Sequence, residues 1–274
     1  MPELPEVESV VRSLCSSSSS LIGRRIEQGF IHGSRVISGC SAEEFLQRLQ
    51  HACFTRIERH GKYLFFEMQP GCATTAVPFF LVIHLRMTGR LYLVPVPERS
   101  AKYTRLSLIL SEQLALRFDD PRTFGRAWLV EHPSIVTSTL GPDALTVTVQ
   151  EFATRLAGSK RQLKPLLLDQ SFVAGIGNIY ADEILFRSRL HPLTNSRNLA
   201  PNEVHRLHQA VHTVLEEAVE AHGANIDGVF KAGNFIVSVY GRSGKKCRIC
   251  ESPILRITVG QRGTHFCPEC QRRK

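Results

Sequence analysis

The chain has 274 residues, 43% of them hydrophobic, with a formal net charge of +9 and a pI near 9.4. Its length predicts two sub-domains, each with its own core, and does not require a third. The apolar run at 79–85 is too short to cross a bilayer, and the N-terminus lacks the pattern of a secretory signal. We therefore expect a cytoplasmic protein without a membrane span, whose basic charge favours an anionic partner.

The N-terminal segment predicts an amphipathic helix. Pro5 near its start and Glu3, Glu6 and Glu8 around its first turn suit a helix N-terminus. Apolar residues follow at positions i, i+3, i+4 and i+7: Val7, Val10, Val11 and Leu14. The chain should therefore be anchored at its beginning, and the serine run at 16–20 should be an exposed loop.

The middle of the chain changes character near 135–150. Residues 21–131 form short β-rich runs separated by Gly and Pro, with one helix near 41–51, which predicts a β-sandwich or barrel. Helical periodicity follows at 150–158, 162–169, 177–188 and 201–222, and strand-like runs return from residue 235. We predict an α+β protein with an N-terminal domain (1–134), a linker (135–150), a helical domain (151–234) and a C-terminal zinc-finger hairpin (235–274).

The eight cysteines fall into two groups. Two CxxC pairs supply four thiolates with the spacing of a structural zinc site: Cys247, Cys250, Cys267 and Cys270. The other four are scattered, and we expect them to be free: Cys15, Cys40, Cys53 and Cys72. Apolar runs beside the CxxC pairs predict a β-hairpin with its tip at 261–263.

This C-terminal segment is also strongly basic. From residue 242 to 274, nine Lys or Arg residues stand against two Glu residues, which accounts for +7 of the total charge. The favoured interpretation is a hairpin that presses Arg262 onto a phosphate backbone. The alternative is a zinc-folded tail on which Arg262 is a solvated turn residue.

Pro2 and Glu3 suit covalent catalysis. Once Met1 is removed, Pro2 presents a secondary amine whose pKa of about 8 leaves more of it unprotonated than a lysine. Attack on a carbonyl-level carbon gives a cationic iminium, which favours elimination. Glu3 can act as general acid and base, and Glu6 can orient the pair. The alternative is that these glutamates only complement the helix dipole.

Five separated motifs resemble the formamidopyrimidine-DNA glycosylase family. They are PELPEVE at the start, HGKYL around Lys62, DPRTFG at 120–125, LLLDQ with GIGNIYADEILF at 166–186, and the terminal cysteine motif. The resemblance spans nearly the whole chain. It implies an N-terminal β-sandwich with flanking helices, a helix-two-turn-helix module and a zinc finger with one structural Zn²⁺. It also implies excision of oxidised purines from damaged double-stranded DNA, followed by β,δ-elimination.

The resemblance assigns roles to individual residues. Pro2 looks like the nucleophile on C1′ and Glu3 like the acid that opens the sugar. Lys62, Asn178 and Arg262 resemble phosphate-contacting residues around the lesion. On local grounds alone, Lys62 would be a surface turn residue and Asn178 a helix cap.

A flipped base leaves a void that the enzyme must fill. Met87, Arg122 and Phe124 resemble the family's void-filling trio: a flexible thioether, a guanidinium for the orphaned base and an aromatic wedge. Without the family context, core packing would be preferred for Met87 and Phe124. Arg122 implies the usual preference for cytosine opposite the lesion.

Two departures from the family pattern bear on specificity. The stretch Asp227–Val239 is short for the loop that covers the extruded purine, and Thr123 replaces a residue that is often basic. Gly175 and Gly177 resemble half of a dinucleotide fingerprint, but the third glycine and preceding strand are missing, so no nucleotide cofactor is expected.

Two alternative functions stay open. An endonuclease VIII-type enzyme would prefer oxidised pyrimidines, although Leu4 favours the purine branch over the glycine usual there. A non-catalytic zinc-finger protein that only binds lesions is the other. We expect a monomer in the bacterial cytoplasm, associated with the nucleoid when it acts.

Overall fold

The computed structural model describes residues 2–16, 20–72, 76–98, 101–226, 228 and 232–273. The chain separates into two compact units. The sheet unit is built mainly from Glu6–Ser138, and the helical unit from Glu3–Pro5, Thr139–Asn225 and Phe230–Lys274. The predicted domain limits stay predictions, and the two units are described separately below.

The sheet unit contains two antiparallel four-stranded sheets, ordered β1-β6-β7-β5 and β2-β3-β4-β8. Its strands are β1 Ile26–Ile31, β2 Cys53–His60, β3 Tyr63–Gln69, β4 Phe79–His84, β5 Arg90–Pro95, β6 Thr104–Leu110, β7 Leu114–Asp119 and β8 Arg126–Val130. Its helices are α1 Leu4–Cys15, whose first two residues belong to the helical unit, α2 Ala42–Leu49 and α3 Ser134–Thr137. Ser34–Val36 and Pro70–Cys72 form 3-10 turns.

Strand β3 shows why the strand sequences are continuous apolar runs and do not alternate between apolar and polar residues. Leu64 and Phe66 are fully buried on one face. On the other face Phe65 packs in a second cluster with Val82 and Val130, against which Val136 of α3 is packed. A strand covered on both faces loses the alternating pattern.

The helical unit has a main apolar core formed largely by four helices, and a smaller apolar cluster lies beside the CxxC cysteines. The four helices are α4 Val149–Ala157, α5 Leu163–Leu168, α6 Asn178–Arg187 and α7 Pro201–Glu220. Thr148 caps α4 by accepting the Glu151 N–H at 3.2 Å, which satisfies a backbone donor at the helix start. A 3-10 turn, Ser196–Asn198, precedes α7.

The C-terminal hairpin consists of β9 Leu255–Val259 and β10 Arg262–Phe266. Its tip is Gly260–Gln261, where both residues take positive φ values of 54° and 62°, as a tight two-residue hairpin turn requires. The predicted tip at 261–263 was wrong, because Gly263 pairs with Thr258 inside the hairpin. A Cβ on Gly263 would lie 2.9 Å from the Arg256 guanidinium, so its glycine serves packing instead of the turn.

One cysteine prediction was also wrong. Cys53 and Cys72 are joined by a disulfide, with their Cα atoms 5.1 Å apart. The β2–β3 hairpin pairs Cys53 with Gln69, and the following 3-10 turn ends at Cys72, which brings the two thiols together. Cys15 and Cys40 are free, as expected.

The helices after residue 148 lie within two residues of their predicted bounds, which confirms the periodicity argument. Strand β1 was not singled out by the sequence, since Gly29 interrupts its β pattern. The predicted serine loop at 16–20 lies partly outside the described residues. Within the described part of the chain, no helix combines the length and apolarity that a membrane crossing needs.

Candidate active site

Pro2 and Glu3 stand immediately before α1, and both are buried. Pro5 lies in the first turn of the helix, where its missing N–H has no hydrogen bond to lose. The Leu4 N–H donates to the Gly175 carbonyl at 3.1 Å, which fixes the backbone directly after Glu3. Glu6, proposed to support the pair, is also buried. The head of α1 is therefore held in place.

The Glu3 carboxylate is bound by the N-terminus of α6. It accepts hydrogen bonds from the N–H of Ile179 at 2.9 Å and of Tyr180 at 3.3 Å. The first N–H groups of a helix have no partner within the helix, and the helix dipole favours an anion there. The side chain of Glu3 is thus fixed in one position with only 1% of its surface exposed.

Two glycines make this arrangement possible. A Cβ on Gly177 would stand 2.2 Å from Cδ of Glu3, and one on Gly175 would stand 2.4 Å from Cδ1 of Leu4. Gly175 also has φ +113°, which other residues rarely adopt. Gly175 and Gly177, which resembled half of a nucleotide fingerprint, instead leave the space that the Glu3 and Leu4 side chains occupy.

Asn178 and Arg262 lie where α6 meets the C-terminal hairpin. Asn178 is the first residue of α6, and its Nδ2 donates to the Gly263 carbonyl at 3.2 Å. Its Oδ1 is buried and has no hydrogen-bond partner among the residues that the structure describes. Arg262 begins β10, is exposed, and precedes Gly263 directly. These two predicted phosphate ligands are therefore neighbours.

A buried network that the sequence did not reveal joins the same helix and hairpin. Lys164 Nζ lies 2.6 Å from Asp182 Oδ1 and donates to the Asn178 carbonyl at 2.9 Å. Asp182 Oδ2 accepts the backbone N–H of His265 in β10 at 2.8 Å. Burial lowers the pKa of Lys164, and the nearby Asp182 carboxylate opposes that shift. Because both charges are buried, removal of either partner would leave the other unpaired.

The four predicted metal ligands do come together. All four Sγ atoms lie within 4.8 Å of one another, with separations of 3.9 Å for Cys247–Cys270 and 3.4 Å for Cys250–Cys267. Four sulfurs at about 2.3 Å from a tetrahedral Zn²⁺ would be about 3.8 Å apart. The cluster therefore fits one structural zinc with no open coordination position.

Lys62 occupies the two-residue turn of the β2–β3 hairpin, after Gly61 with φ +57°. Lys62 is only 9% exposed, so it is not the surface turn residue that the local sequence alone would suggest. His84 is also buried, and its Nδ1 accepts the Arg86 N–H at 3.0 Å. Burial, together with the charges of Arg86 and Lys62, lowers the pKa of His84 to about 3.

The β7–β8 turn carries Arg122 and Phe124, both exposed, with the guanidinium 4.8 Å from the ring centroid. Asp120 organises this turn: its carboxylate accepts the N–H of Arg122 at 3.2 Å and of Gly125 at 2.7 Å. The carboxylate also accepts a hydrogen bond from the Thr88 hydroxyl. Thr88 directly follows Met87, which is partly buried. Asp120, which sequence reasoning missed, thus ties the turn of Arg122 and Phe124 to Thr88, the residue after Met87.

The short loop at 227–239 lies partly outside the described residues. Its end is held by Glu183, which accepts the backbone N–H groups of Ser238, Val239 and Tyr240 at 2.8–2.9 Å. Burial raises the pKa of Glu183, and the three N–H donors oppose that shift.

Comparisons with known proteins indicate the same family for nearly the whole chain. The formamidopyrimidine-DNA glycosylase N-terminal domain matches residues 1–127, its H2TH domain matches 140–228, and the zinc finger found in FPG and IleRS matches 244–273. A formamidopyrimidine-DNA glycosylase of Herpetosiphon aurantiacus is 37% identical over 99% of this chain and 100% of its own length. The enzyme of Acaryochloris marina is 41% identical over 99% of each chain.

Solved structures give the same result. MutM in complex with DNA containing carbocyclic 8-oxo-G is similar at a TM-score of 0.88 and 32% identity, over 99% of this chain and 100% of that one. The Lactococcus lactis FPG in complex with FAPY-dG-containing DNA is similar at 0.87 and 32%, with the same coverage. This chain belongs to the formamidopyrimidine-DNA glycosylase family.

Proposed function

We propose that this chain is a bifunctional DNA glycosylase and AP lyase of base excision repair. It removes oxidised purines, 8-oxoguanine and formamidopyrimidines, and then cuts the strand. The observation that carries the proposal is the buried Pro2–Glu3 pair, in which α6 fixes the carboxylate beside the residue that becomes the N-terminal amine. Solved relatives bound to 8-oxo-G, FAPY-dG and abasic-site DNA support the substrate class.

The first step joins Pro2 to the sugar. The neutral amine of Pro2 attacks C1′ of the flipped nucleotide, the C1′–N bond breaks, and the base leaves with the bond's electron pair and takes up a proton. The proline nitrogen passes its proton to the Glu3 carboxylate, and Glu3 then delivers this proton to the ring oxygen O4′. The C1′–O4′ bond breaks, and the sugar opens to the iminium. A carboxylate held by two N–H donors stays in position for this transfer.

The second step uses the iminium as an electron sink. Loss of a C2′ proton expels the 3′ phosphate by β-elimination, and a further proton loss expels the 5′ phosphate by δ-elimination. Water then hydrolyses the iminium, which frees Pro2 and releases the sugar fragment as an aldehyde. No oxidant or metal takes part, and the zinc serves only to fold the hairpin that carries Arg262.

The remaining predicted residues hold the DNA. Lys62, Asn178 and Arg262 contact phosphates near the lesion, which suits three polar side chains placed at a hairpin turn, a helix start and a strand start. The void left by the flipped base is filled by Met87, Arg122 and Phe124, and Arg122 selects cytosine. One chain carries every group that this scheme needs, so we propose a monomer that acts on the nucleoid in the bacterial cytoplasm.

The proposed function is tested by strand cleavage on duplexes that carry 8-oxoguanine opposite cytosine, 5-hydroxycytosine opposite guanine, or an abasic site. We expect cleavage of the first and third and much slower cleavage of the second. Pro2→Gly should remove the proline amine, and Pro5→Ala is the matched control at the same helix start. Cleavage of the oxidised pyrimidine alone would assign the chain to the endonuclease VIII type, and tight binding without cleavage would make it a non-catalytic lesion-binding protein.

A further inference from the structure

Two histidines on α7 converge on one backbone carbonyl outside the site described above. His208 and His212 are four residues apart and therefore share one face of the helix. Their Nε2 atoms are 3.1 Å apart and lie 2.8 and 3.1 Å from the carbonyl oxygen of Val147. Val147 is only 2% exposed and directly precedes the cap of α4.

These three atoms have the spacing of one face of a metal coordination sphere. Imidazole nitrogens and oxygens bind divalent transition-metal ions at about 2.0–2.2 Å, and two ligands about 90° apart, as in the square-planar or tetragonal sites of Cu²⁺ and Ni²⁺, are separated by about 3.0 Å. All three separations are close to that value. If both imidazoles instead serve as N–H donors, the Val147 carbonyl oxygen accepts from both, and the two donor nitrogens lie 3.1 Å apart.

We propose that His208, His212 and the carbonyl oxygen of Val147 bind a divalent transition-metal ion of the Zn²⁺, Ni²⁺ or Cu²⁺ type. Imidazole is the side-chain ligand that these ions share, whereas Mg²⁺ and Ca²⁺ prefer carboxylate oxygens. His208 and His212 are half-buried, so water can complete the coordination sphere.

The ion would tie α7 to the start of α4. The ring of His208 already packs against Phe152 of α4, with centroids 5.5 Å apart. Coordination by the Val147 carbonyl would fix the segment that Thr148 caps, and binding to the folded state would raise its stability. The site is far simpler than the cysteine cluster, because it uses two side chains from one helix and a single backbone atom.

Isothermal titration of Ni²⁺ into the full-length, zinc-loaded protein tests the proposal, with zinc content measured before and after. We expect one Ni²⁺ per chain, no loss of zinc, and a higher Tm of the helical unit. His208→Gln and His212→Gln retain an N–H donor for Val147 but remove the metal ligand, so each should weaken Ni²⁺ binding at least tenfold. His132→Gln, at an exposed histidine of the sheet unit, is the matched control.

If the wild-type chain binds no more Ni²⁺ than the His208→Gln variant, the two histidines are only hydrogen-bond donors to Val147, and the proposal is wrong. A Tm that Ni²⁺ raises equally in wild type and in both variants would likewise overturn it. A variant with a lower Tm in the absence of metal leaves the comparison intact, because its Ni²⁺ stoichiometry is measured on the folded protein.

Discussion

In the sheet unit, the predicted void-filling residues Arg122 and Phe124 stand on an exposed turn, whereas in the helical unit the predicted catalytic Glu3 is buried and bound by two backbone N–H groups. Phe124 is 47% exposed and Arg122 is exposed, although the Asp120 carboxylate beneath them is only 1% exposed. Glu3 itself is 1% exposed and is bound to two backbone N–H groups.

The difference matches what each group must do. A wedge has to enter the DNA stack, so its backbone is fixed while its side chain stays accessible. A group that transfers protons works best when its position is set before the substrate arrives.

Removal of the zinc should have the largest effect. Without zinc, the cysteine cluster cannot hold β9 and β10 in place, so Arg262 is no longer held in a fixed position. The sheet unit has a core of its own and should stay folded. We expect Cys267→Ser to weaken DNA binding more than a hundredfold, measured by fluorescence anisotropy, while the sheet unit still unfolds cooperatively. Cys40→Ser, at a free cysteine, is the control. Binding within tenfold of wild type after zinc loss would contradict the prediction.

Gly177→Ala should displace Glu3, because a Cβ there would stand 2.2 Å from the carboxylate carbon. A misplacement on the order of 1 Å costs about a hundredfold in rate, so we expect kcat for base excision to fall about that much while DNA binding changes little. Gly158→Ala is the matched control, since its Cβ would meet nothing closer than 3.7 Å. Equal rates for the two variants would show that the position of Glu3 is unimportant.

Asp120→Ala should loosen the turn of Arg122 and Phe124. It removes three hydrogen bonds, and at about 1 kcal/mol each we expect the sheet unit to lose about 3 kcal/mol. The preference for cytosine opposite the lesion should narrow in a cleavage assay with all four partner bases. Glu112→Ala removes a 75% exposed side chain that is paired with Arg24 and should cost less than about 1 kcal/mol. An unchanged base preference in Asp120→Ala would mean that Arg122 does not read the partner base.

His84 gives the smallest effect, a pH dependence. The pKa of His84 is about 3 in the folded state, below its unfolded-state value of about 6.5. The contribution of His84 to stability is therefore constant above about pH 6.5 and is lost progressively as the pH falls from about 6.5 towards 3. At pH 5.5 the loss of unfolding free energy is about 1 kcal/mol relative to pH 8. Urea unfolding of the sheet unit should show this slope, and His84→Asn should reduce it. An identical pH slope in the variant would contradict the assignment.

The sequence predicted what short-range patterns encode. Helical periodicity placed α4 to α7, and the CxxC spacing identified the metal ligands, because in both cases the interacting residues are close along the chain. Pro2 and Glu3 stood out through their chemistry and through the resemblance of their surroundings to a known family.

The missed features all depend on contacts between distant residues. The Cys53–Cys72 disulfide needs the β2–β3 register, the binding of Glu3 needs α6 some 176 residues away, and Lys164 meets Asp182 only in the folded core. Gly177 shows the same limit, since its reason for being glycine is the carboxylate of Glu3. No local pattern reports such pairs.

Borohydride trapping can identify the nucleophile directly. It is carried out on a duplex with 8-oxoguanine opposite cytosine and on a duplex with an abasic site, and the adduct is then mapped by mass spectrometry. Reduction of the iminium should leave the DNA covalently attached to the nitrogen of Pro2 with both substrates, and protein that retains Met1 should form no adduct. An adduct mapped to a lysine, or a full yield from the Met1-blocked or Pro2→Gly protein, would contradict the claim that the N-terminal proline is the nucleophile.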